Sequence, residues 1–146
     1  MKNYCYEYPR PAVTTDAILV AKENNQTSVL LIQRGIEPYK DQWALPGGFV
    51  EMDEELEDAC ARELQEETGI RGIQLNQLAA FGTVNRDPRG RTISVVFWAT
   101  IPSKLKAQSG DDAQNAKWFN LNDLPPLAFD HQKIIQQFID EKLKDF

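Results

Sequence analysis

Runs of apolar and β-branched residues, separated by polar turns, predict a sheet. Residues 13–21 (VTTDAILVA) and 28–34 (SVLLIQR) are two such runs, and the polar stretch between them predicts a β-hairpin. Three more runs predict further strands, at residues 74–82, 92–101 and 116–121. The run at 92–101 contains ISVVFWA, which is apolar enough to predict a strand buried on both faces.

Two other segments carry apolar residues at helical spacing. The first begins after Asp53, a predicted N-cap, has Glu54 and Glu55 in its first turn, and ends at Gly69. The second covers residues 130–144. Its apolar stripe consists of Ile134, Ile135, Phe138, Ile139 and Leu143. The order strands, helix, strands, helix predicts an α/β domain with helices packed on a mixed sheet.

The composition is that of one globular domain spanning residues 1–146. Of the 146 residues, 42% are hydrophobic and 26% are charged. The net charge of −6 argues against a protein that coats the backbone of a nucleic acid. No apolar run is long enough to span a membrane, and the first residues lack a secretory signal, so we expect a cytoplasmic protein.

The cysteines and the histidine do not predict a site for a soft metal. Cys5 and Cys60 have no CxxC spacing and no histidine partner pattern. We expect both thiols to be reduced and Cys60 to be a small core residue. His131 is the sole histidine; because it lies far from the acidic helix in sequence, it is not predicted to act as a base.

The first predicted helix is unusually acidic. It follows a Pro46-Gly47-Gly48 segment, which predicts a loop with unusual backbone angles. Within the helix, Glu63, Glu66 and Glu67 stand at i, i+3 and i+4 and share one face. The apolar residues of the preceding turns fall on that same side, and they are Leu56, Ala59 and Cys60. We therefore expect the carboxylates to point toward the protein body or a cleft.

These carboxylates predict a bound cation. Like charges at this spacing cost about 0.2–0.5 kcal/mol per exposed pair, and more when partly buried. One arginine, Arg62, cannot neutralise Glu54, Glu63, Glu66 and Glu67 together, so we expect a divalent metal ion. Oxygen ligands favour Mg²⁺, with Mn²⁺ as a substitute, and Mg²⁺ commonly shares its shell with substrate phosphates. The alternatives are a solvated charged face and salt bridges alone.

This region resembles the signature of the Nudix hydrolase family. The family pattern is Gly, five residues, Glu, seven residues, then Arg-Glu-apolar-any-Glu-Glu-any-Gly-apolar. The chain matches every fixed position, through Gly48, Glu54, Arg62, Glu63, Leu64, Glu66, Glu67, Gly69 and Ile70. The resemblance implies a Nudix-type α/β/α sandwich with a central mixed β-sheet, and the predicted strand order is consistent with it over nearly the whole chain.

The resemblance also implies a reaction and roles for these residues. The reaction is Mg²⁺-dependent hydrolysis of a nucleoside diphosphate linked to another moiety. Arg62 is implied to pair with and orient one glutamate, and Glu54 to support the metal site. The general base is either a signature glutamate or a later acid, Asp111 or Asp112; these two aspartates could equally form a polar turn. The implied metal ligands are the Gly47 carbonyl and the catalytic carboxylates of Glu63, Glu66 and Glu67.

Outside the signature, the chain is similar to the ADP-ribose pyrophosphatase-like branch of the family, at residues 43–51, 86–91 and 127–131. This similarity implies cleavage of ADP-ribose to AMP and ribose 5-phosphate. Arginines suit a diphosphate or a ribose, and an aromatic ring suits a base. The candidate substrate-binding residues are Arg34, Arg86, Arg89, Arg91 and Trp43. The alternatives are that the loop arginines face solvent and that the tryptophan belongs to the core.

Two other functions remain open from the sequence. One is the hydrolysis of nucleoside triphosphates, including oxidised ones, with release of pyrophosphate. The other is an ADP-ribose-sensing module without catalysis; such Nudix-like modules usually carry an added DNA-binding domain and often a degraded signature. The intact signature and the negative charge favour an enzyme acting on a small nucleotide, with no nucleic acid or membrane partner. The family resemblance also makes a homodimer possible.

Overall fold

Seven strands and two helices make up the part of the chain that the computed structural model describes, residues 3–110 and 113–144. The strands are β1 (Ala12–Glu23), β2 (Gln26–Arg34), β3 (Trp43–Ala44), β4 (Gly47–Phe49), β5 (Asn76–Phe81), β6 (Thr92–Ile101) and β7 (Ala113–Asn120). The helices are α1 (Leu56–Thr68) and α2 (His131–Lys142). Neither helix combines the length and the apolar character needed to cross a membrane.

The strands form one mixed sheet around β1. This strand is antiparallel to β2 and β4 and parallel to β6. Beyond these neighbours, β5 pairs with β6, while β3 and β7 pair with β2. Asn24 and Asn25 join β1 to β2 with φ angles of 53° and 61°, a left-handed conformation that asparagine tolerates in two-residue turns. The predicted hairpin and the predicted mixed sheet are confirmed.

The two faces of the sheet carry separate apolar cores, each covered by one helix. Successive side chains of a strand point to opposite faces. Leu19 of β1 therefore packs in the core under α1 with Leu64, while Ile18 and Val20 pack in the core under α2 with Phe138. All five side chains are at most 1% exposed. This arrangement confirms the α/β/α sandwich.

Two expectations about buried residues are also confirmed. The apolar run of β6 serves both cores, because Val96 packs under α2 while Val95 and Phe97 pack under α1. Cys60 is buried in the core under α1, and burial raises the pKa of its thiol to about 12. Both Cys60 and the exposed Cys5 are free thiols.

The predicted start of the acidic helix was wrong by a few residues. The helix begins at Leu56 with Glu55 as its N-cap, and its first-turn acids are Glu57 and Asp58. Asp53 does not cap it, because the chain is still in a turn there. The predicted end is confirmed, since Gly69 adopts a left-handed conformation with φ of 76°.

The expectation of unusual backbone angles at Gly47 and Gly48 was also wrong. Neither glycine has a positive φ; both lie in β4, where they pair with Asp16 and Thr15 of β1. Glycine is required at both positions because a side chain would collide with neighbouring atoms. A Cβ at Gly47 would overlap the carbonyl oxygen of Thr15, and a Cβ at Gly48 would lie 2.5 Å from Oε1 of Glu63.

Candidate active site

The candidate site forms where α1 passes beneath β4. The backbone N–H of Gly47 donates a hydrogen bond to Oε1 of Glu67, with an N···O distance of 2.7 Å. One residue further along β4, Gly48 lies directly against the carboxylate of Glu63. Two glutamates one helical turn apart therefore contact two successive glycines. This close approach explains why both positions lack a side chain.

Arg62 binds three of the four neighbouring glutamates. Its Nε and Nη2 donate to Glu54 at 3.0 and 2.6 Å, and its Nη1 donates to Glu63 at 2.9 Å and to Glu66 at 3.2 Å. Arg62 therefore pairs with three glutamates, whereas the resemblance implied pairing with one. Its guanidinium, together with the N–H of Glu51, lowers the pKa of Glu54 to about 2.

Glu67 is the carboxylate that Arg62 does not reach. It is 8% exposed, whereas the side chain of Glu66 is 42% exposed. Burial, reinforced by the negative charges of Glu63 and Asp16, raises the pKa of Glu67 to about 8 against the opposing effect of the Gly47 hydrogen bond. Glu67 faces the protein body, and Glu63 and Glu66 line an open cleft beside it, so the prediction that the carboxylates point toward the protein body or a cleft is confirmed.

The donor atoms at this site fit a hard divalent cation. Glu63 and Glu67 bring carboxylate oxygens to the glycines of β4, and oxygen ligands suit Mg²⁺ or Mn²⁺. Over residues 3–110 and 113–144, no three His, Cys, Asp or Glu side chains are already grouped as a metal cage. Arg62 accounts for this, because it holds Glu63 and Glu66 while Glu67 is bonded to Gly47.

A second polar group lies on the other side of Glu67, and the sequence did not predict it. Asp16 of β1 accepts a hydrogen bond from the hydroxyl of Ser94 and lies 3.8 Å from Nε2 of His131. The Nδ1 of His131 accepts the backbone N–H of Leu45 at 3.0 Å. Burial lowers the pKa of this histidine. A signal was present in the sequence, since Asp16 is a charged residue directly before the apolar run at residues 17–21 of the same strand.

Asp16, His131 and Glu67 all line one small cavity of ≈ 50 Å³, which we call the inner cavity. An open cleft of ≈ 490 Å³, which we call the metal-side cleft, adjoins it and is also lined by Glu67. The distance of His131 from the acidic helix in sequence was therefore a poor guide to its position. The fold brings it beside the signature carboxylates.

The candidate arginines occupy different environments. Arg34 and Arg89 line both the inner cavity and the metal-side cleft. Arg89 is held by Asp87 through two hydrogen bonds of 3.1 and 2.8 Å, and its guanidinium lies 4.7 Å from the ring centre of Phe49. Its position suits binding of a phosphate at the mouth of the cleft.

Arg86, Arg91 and Trp43 have structural partners. Arg86 is buried and makes two hydrogen bonds to Asp130, at 2.9 and 2.7 Å. Arg91 is exposed and donates to the carbonyl of Gly82 at 2.7 Å. Trp43 packs with its ring centre 4.7 Å from that of Phe119, against the core under α2. For this tryptophan, the structure supports the alternative of a core residue.

Two candidates for the general base, Asp111 and Asp112, lie outside the described residues. The chain approaches this point beside α1, because the N–H of Gln108 donates to the carbonyl of Thr68 at 2.9 Å. Gly110 lies so close to the carbonyl of Glu66 that an added Cβ would be 2.5 Å from its oxygen. The described chain on the N-terminal side of these two aspartates is thus packed against the C-terminal end of α1.

Comparison with known proteins gives the same family as the signature. Residues 11–138 match the model of the NUDIX domain. An ADP-ribose pyrophosphatase from Methanocaldococcus jannaschii is 47% identical over 133 residues, covering 90% of this chain and 75% of that protein. The ADPR responsive transcriptional repressor NtrR from Acinetobacter baylyi is 39% identical, covering 90% of this chain and 54% of the repressor.

A solved structure is similar over almost the whole chain. It is the NUDIX domain of Shewanella oneidensis NrtR complexed with ADP ribose, with 35% sequence identity and a TM-score of 0.87. The similarity covers 97% of this chain and 95% of that domain. The likeness therefore includes the sheet, both helices and the segments between them that form the candidate site.

Proposed function

The chain belongs to the Nudix family, and from this premise we propose that it hydrolyses ADP-ribose to AMP and ribose 5-phosphate with Mg²⁺ as cofactor. The observation that carries the proposal is the buried carboxylate of Glu67, bonded to Gly47 beside Glu63. The relative from M. jannaschii, named as an ADP-ribose pyrophosphatase, supports the choice of substrate. The Shewanella domain, complexed with ADP ribose, supports it as well.

In this proposal the metal ligands are Glu63, Glu66, Glu67 and the carbonyl of Gly47. Nudix hydrolases generally use divalent metal ions; here oxygen donors favour Mg²⁺, and Mn²⁺ is the expected substitute. When bound, such an ion polarises phosphoryl oxygens and lowers the pKa of a bound water. The ligand carboxylates have to leave their present partners in part, since Arg62 now holds two of them.

The remaining roles follow from position. Arg62 holds Glu63 in place through a hydrogen bond of 2.9 Å and is also tied to Glu54, so it orients the ligand set. Arg34 and Arg89 border both cavities next to Glu67 and are proposed to bind the diphosphate. The general base is proposed to be a signature glutamate or one of the two aspartates at 111 and 112.

The proposal predicts which two products form and which substitution slows their formation. ADP-ribose incubated with the protein and Mg²⁺ should give AMP and ribose 5-phosphate in equal amounts, and EDTA should stop the reaction. Glu67→Gln should lower kcat/KM by at least about 10³-fold, because a neutral amide cannot neutralise a cation. The measurement is chromatographic separation of products with steady-state kinetics.

The matched control is Glu57→Gln, an exposed acid in the first turn of the same helix that should keep wild-type kinetics. Circular dichroism should show that both variants fold. Undiminished turnover in Glu67→Gln would reject the catalytic assignment. Release of pyrophosphate from nucleoside triphosphates at a higher kcat/KM than ADP-ribose cleavage would instead assign the chain to triphosphate hydrolysis.

One observation favours a second candidate function, an ADP-ribose-binding module without turnover. The NtrR repressor of A. baylyi is 39% identical to this chain over 135 residues. Against this alternative, the full set of signature acids is present here and Arg62 binds three of them. Tight binding of ADP-ribose with no product after prolonged incubation with Mg²⁺ would establish the binding role.

A further inference from the structure

A second open cleft lies behind the inner cavity, and none of the signature glutamates lines it. Its volume is ≈ 730 Å³, within the range of about 300–1,000 Å³ that is typical of small-ligand sites. We call it the α2 cleft, because residues of this helix form one of its walls. Tyr39, Val84, Leu127 and Phe129 supply its apolar surface, and Val84 is 66% exposed.

The α2 cleft shares a wall with the inner cavity. Arg86 and Phe129 line both spaces. The ring of Phe129 lies within 5.3 Å of Arg89, His131 and Tyr39, measured between ring centres or from the guanidinium carbon. A ligand with one end at Glu67 and the other in the α2 cleft would therefore pass along Phe129.

The backbone around this cleft is held in an uncommon conformation. Tyr39, Asn85 and Phe129 have positive φ angles of 60°, 67° and 54°. Asparagine adopts this region easily, but a bulky aromatic residue rarely does. Such conformations persist where the surrounding structure enforces them, and they cluster at ligand sites. Here they place two aromatic rings in edge-to-face contact, with centres 4.9 Å apart, on the wall of the cleft.

Three amide side chains line the α2 cleft beside its other polar residues, which are Thr83, Arg86, Asp130 and Lys133. Asn85 comes from the loop before β6, and Gln132 and Gln136 come from the exposed side of α2. An amide offers a donor and an acceptor next to each other, which is the pattern on the hydrogen-bonding edge of a nucleobase. Aromatic and aliphatic side chains bind the flat face of such a base.

The geometry points to the α2 cleft as the site that binds the nucleobase of the substrate, with Gln132 and Gln136 reading its edge. This inference rests on the proposed function, because it assigns one half of the same substrate. The apolar surface of Val84, Leu127 and Phe129 favours a base over the terminal ribose, whose hydroxyls would need polar partners on every side. The diphosphate would lie between this cleft and Glu67, next to Arg89.

The first test is a pair of ligands that share a phosphate and a ribose. In an assigned ¹H–¹⁵N spectrum, AMP should shift the backbone amides of Val84, Asn85 and Gln132 and the side-chain amide of Gln136. Ribose 5-phosphate should leave these signals in place. If ribose 5-phosphate shifts them as AMP does, or if AMP shifts only residues near Gly47, the assignment of the base to this cleft is wrong.

The second test separates binding from chemistry. The double variant Gln132→Ala, Gln136→Ala should raise KM for ADP-ribose about tenfold, while kcat changes less than twofold, since contacts to the base are equally strong in the ground state and the transition state. The control is Gln137→Ala. This residue makes the same kind of i, i+4 hydrogen bond as Gln136 but does not line the cleft. An unchanged KM in the double variant would overturn the inference.

The two proposals can fail separately in these experiments. Shifts in the cleft by AMP, without cleavage of ADP-ribose, would uphold the base site and reject the hydrolase. Cleavage of ADP-ribose to AMP and ribose 5-phosphate, without shifts in the cleft, would uphold the hydrolase and reject the base site.

Discussion

At the scale of single residues, the site depends on the absence of side chains as much as on charge. Gly47 and Gly48 have ordinary extended backbones, yet each lies where a Cβ would collide with a neighbour. That closeness lets the backbone bond Glu67 directly and leaves Glu63 beside the next residue. The position of both carboxylates is therefore set by packing against the strand.

Gly48→Ala should displace Glu63 without unfolding the protein. The added Cβ would lie 2.5 Å from Oε1 of Glu63, so the flexible side chain has to move and the ligand geometry is lost. A misplacement of about 1 Å in a catalytic group lowers kcat/KM by about 10²-fold. The control is Gly82→Ala, whose Cβ would meet nothing closer than 3.5 Å. Equal kinetics for both variants, measured with ADP-ribose, would contradict this account.

The raised pKa of Glu67 predicts how metal binding depends on pH. Without metal, this buried acid favours the folded state below pH 4.5, and the contribution is lost as pH rises through about 8. A divalent ion needs the ionised form, so Mg²⁺ should bind about 100-fold more weakly at pH 6 than well above pH 8.

Thermal unfolding provides the measurement. At one Mg²⁺ concentration, the increase in Tm should be larger at pH 8.5 than at pH 6, because the stabilisation by a bound ligand grows with the logarithm of its concentration divided by its Kd. Glu67→Gln should remove this difference. An increase in Tm that does not depend on pH would show that Glu67 does not titrate with the metal.

At the scale of elements, one ion pair ties the loop before β6 to the start of α2. Arg86 in that loop makes two hydrogen bonds to Asp130, the N-cap residue of α2. Their side chains are 3% and 16% exposed. Because Arg86 and Asp130 both line the α2 cleft, the pair also sets the spacing of its two sides.

Asp130→Asn should therefore destabilise the fold. The substitution leaves the guanidinium of Arg86 buried without its carboxylate, a change that costs about 3–5 kcal/mol when one partner of a buried pair is removed. Urea unfolding gives the free energy of unfolding. Asp123→Asn, at an exposed position in the turn after β7, should change it by less than about 0.5 kcal/mol. A loss of similar size in both variants would count against a structural role for the pair.

At the scale of the whole molecule, a polar layer lies on the face of the sheet that α2 covers, next to the apolar core there. Asp16 from the central strand, Ser94 from its parallel neighbour and His131 from α2 meet there. His131 also binds the backbone of Leu45, just before β4. The layer thus connects the second helix to the strand that carries the site, and its histidine is buried in a form that burial keeps neutral.

Stability should fall in mildly acidic solution because of this histidine. Burial lowers the pKa of His131 below 6.5, and the charges of Arg86 and Arg34 act in the same direction against those of Asp16 and Asp130. The contribution of neutral His131 to the free energy of unfolding is fully present above pH 6.5 and is lost as pH falls through the lowered pKa. The largest possible slope for one proton is about 1.4 kcal/mol per pH unit.

The comparison is between the wild type and His131→Asn, whose amide oxygen can still accept the N–H of Leu45. Urea unfolding at pH 7.5, 6.5 and 5.5 gives the free energies. The advantage of the wild type should shrink as pH falls, since other groups titrate alike in both proteins. If the difference in free energy of unfolding between the two proteins does not change with pH, the pKa of His131 is the same in the folded and unfolded states.

Much of this molecule was determined by local sequence. Five of the strands (β1, β2, β5, β6 and β7), both helices, the hairpin and the stop at Gly69 follow from patterns within about ten residues, where spacing and backbone preference act directly. The order of these elements indicated the α/β/α sandwich, and the acidic helix indicated the family. The common face of Glu63 and Glu67 was also predictable, because helical geometry alone places them together.

Only the tertiary structure decided how the site is assembled. Glu67 meets Gly47, Asp16 meets His131, and Arg86 meets Asp130 through folding of distant segments, and no local pattern encodes such contacts. The reason is that burial and charge depend on neighbours from other elements. The raised pKa of Glu67, the core position of Trp43 and the α2 cleft are all consequences of the packing of the whole domain.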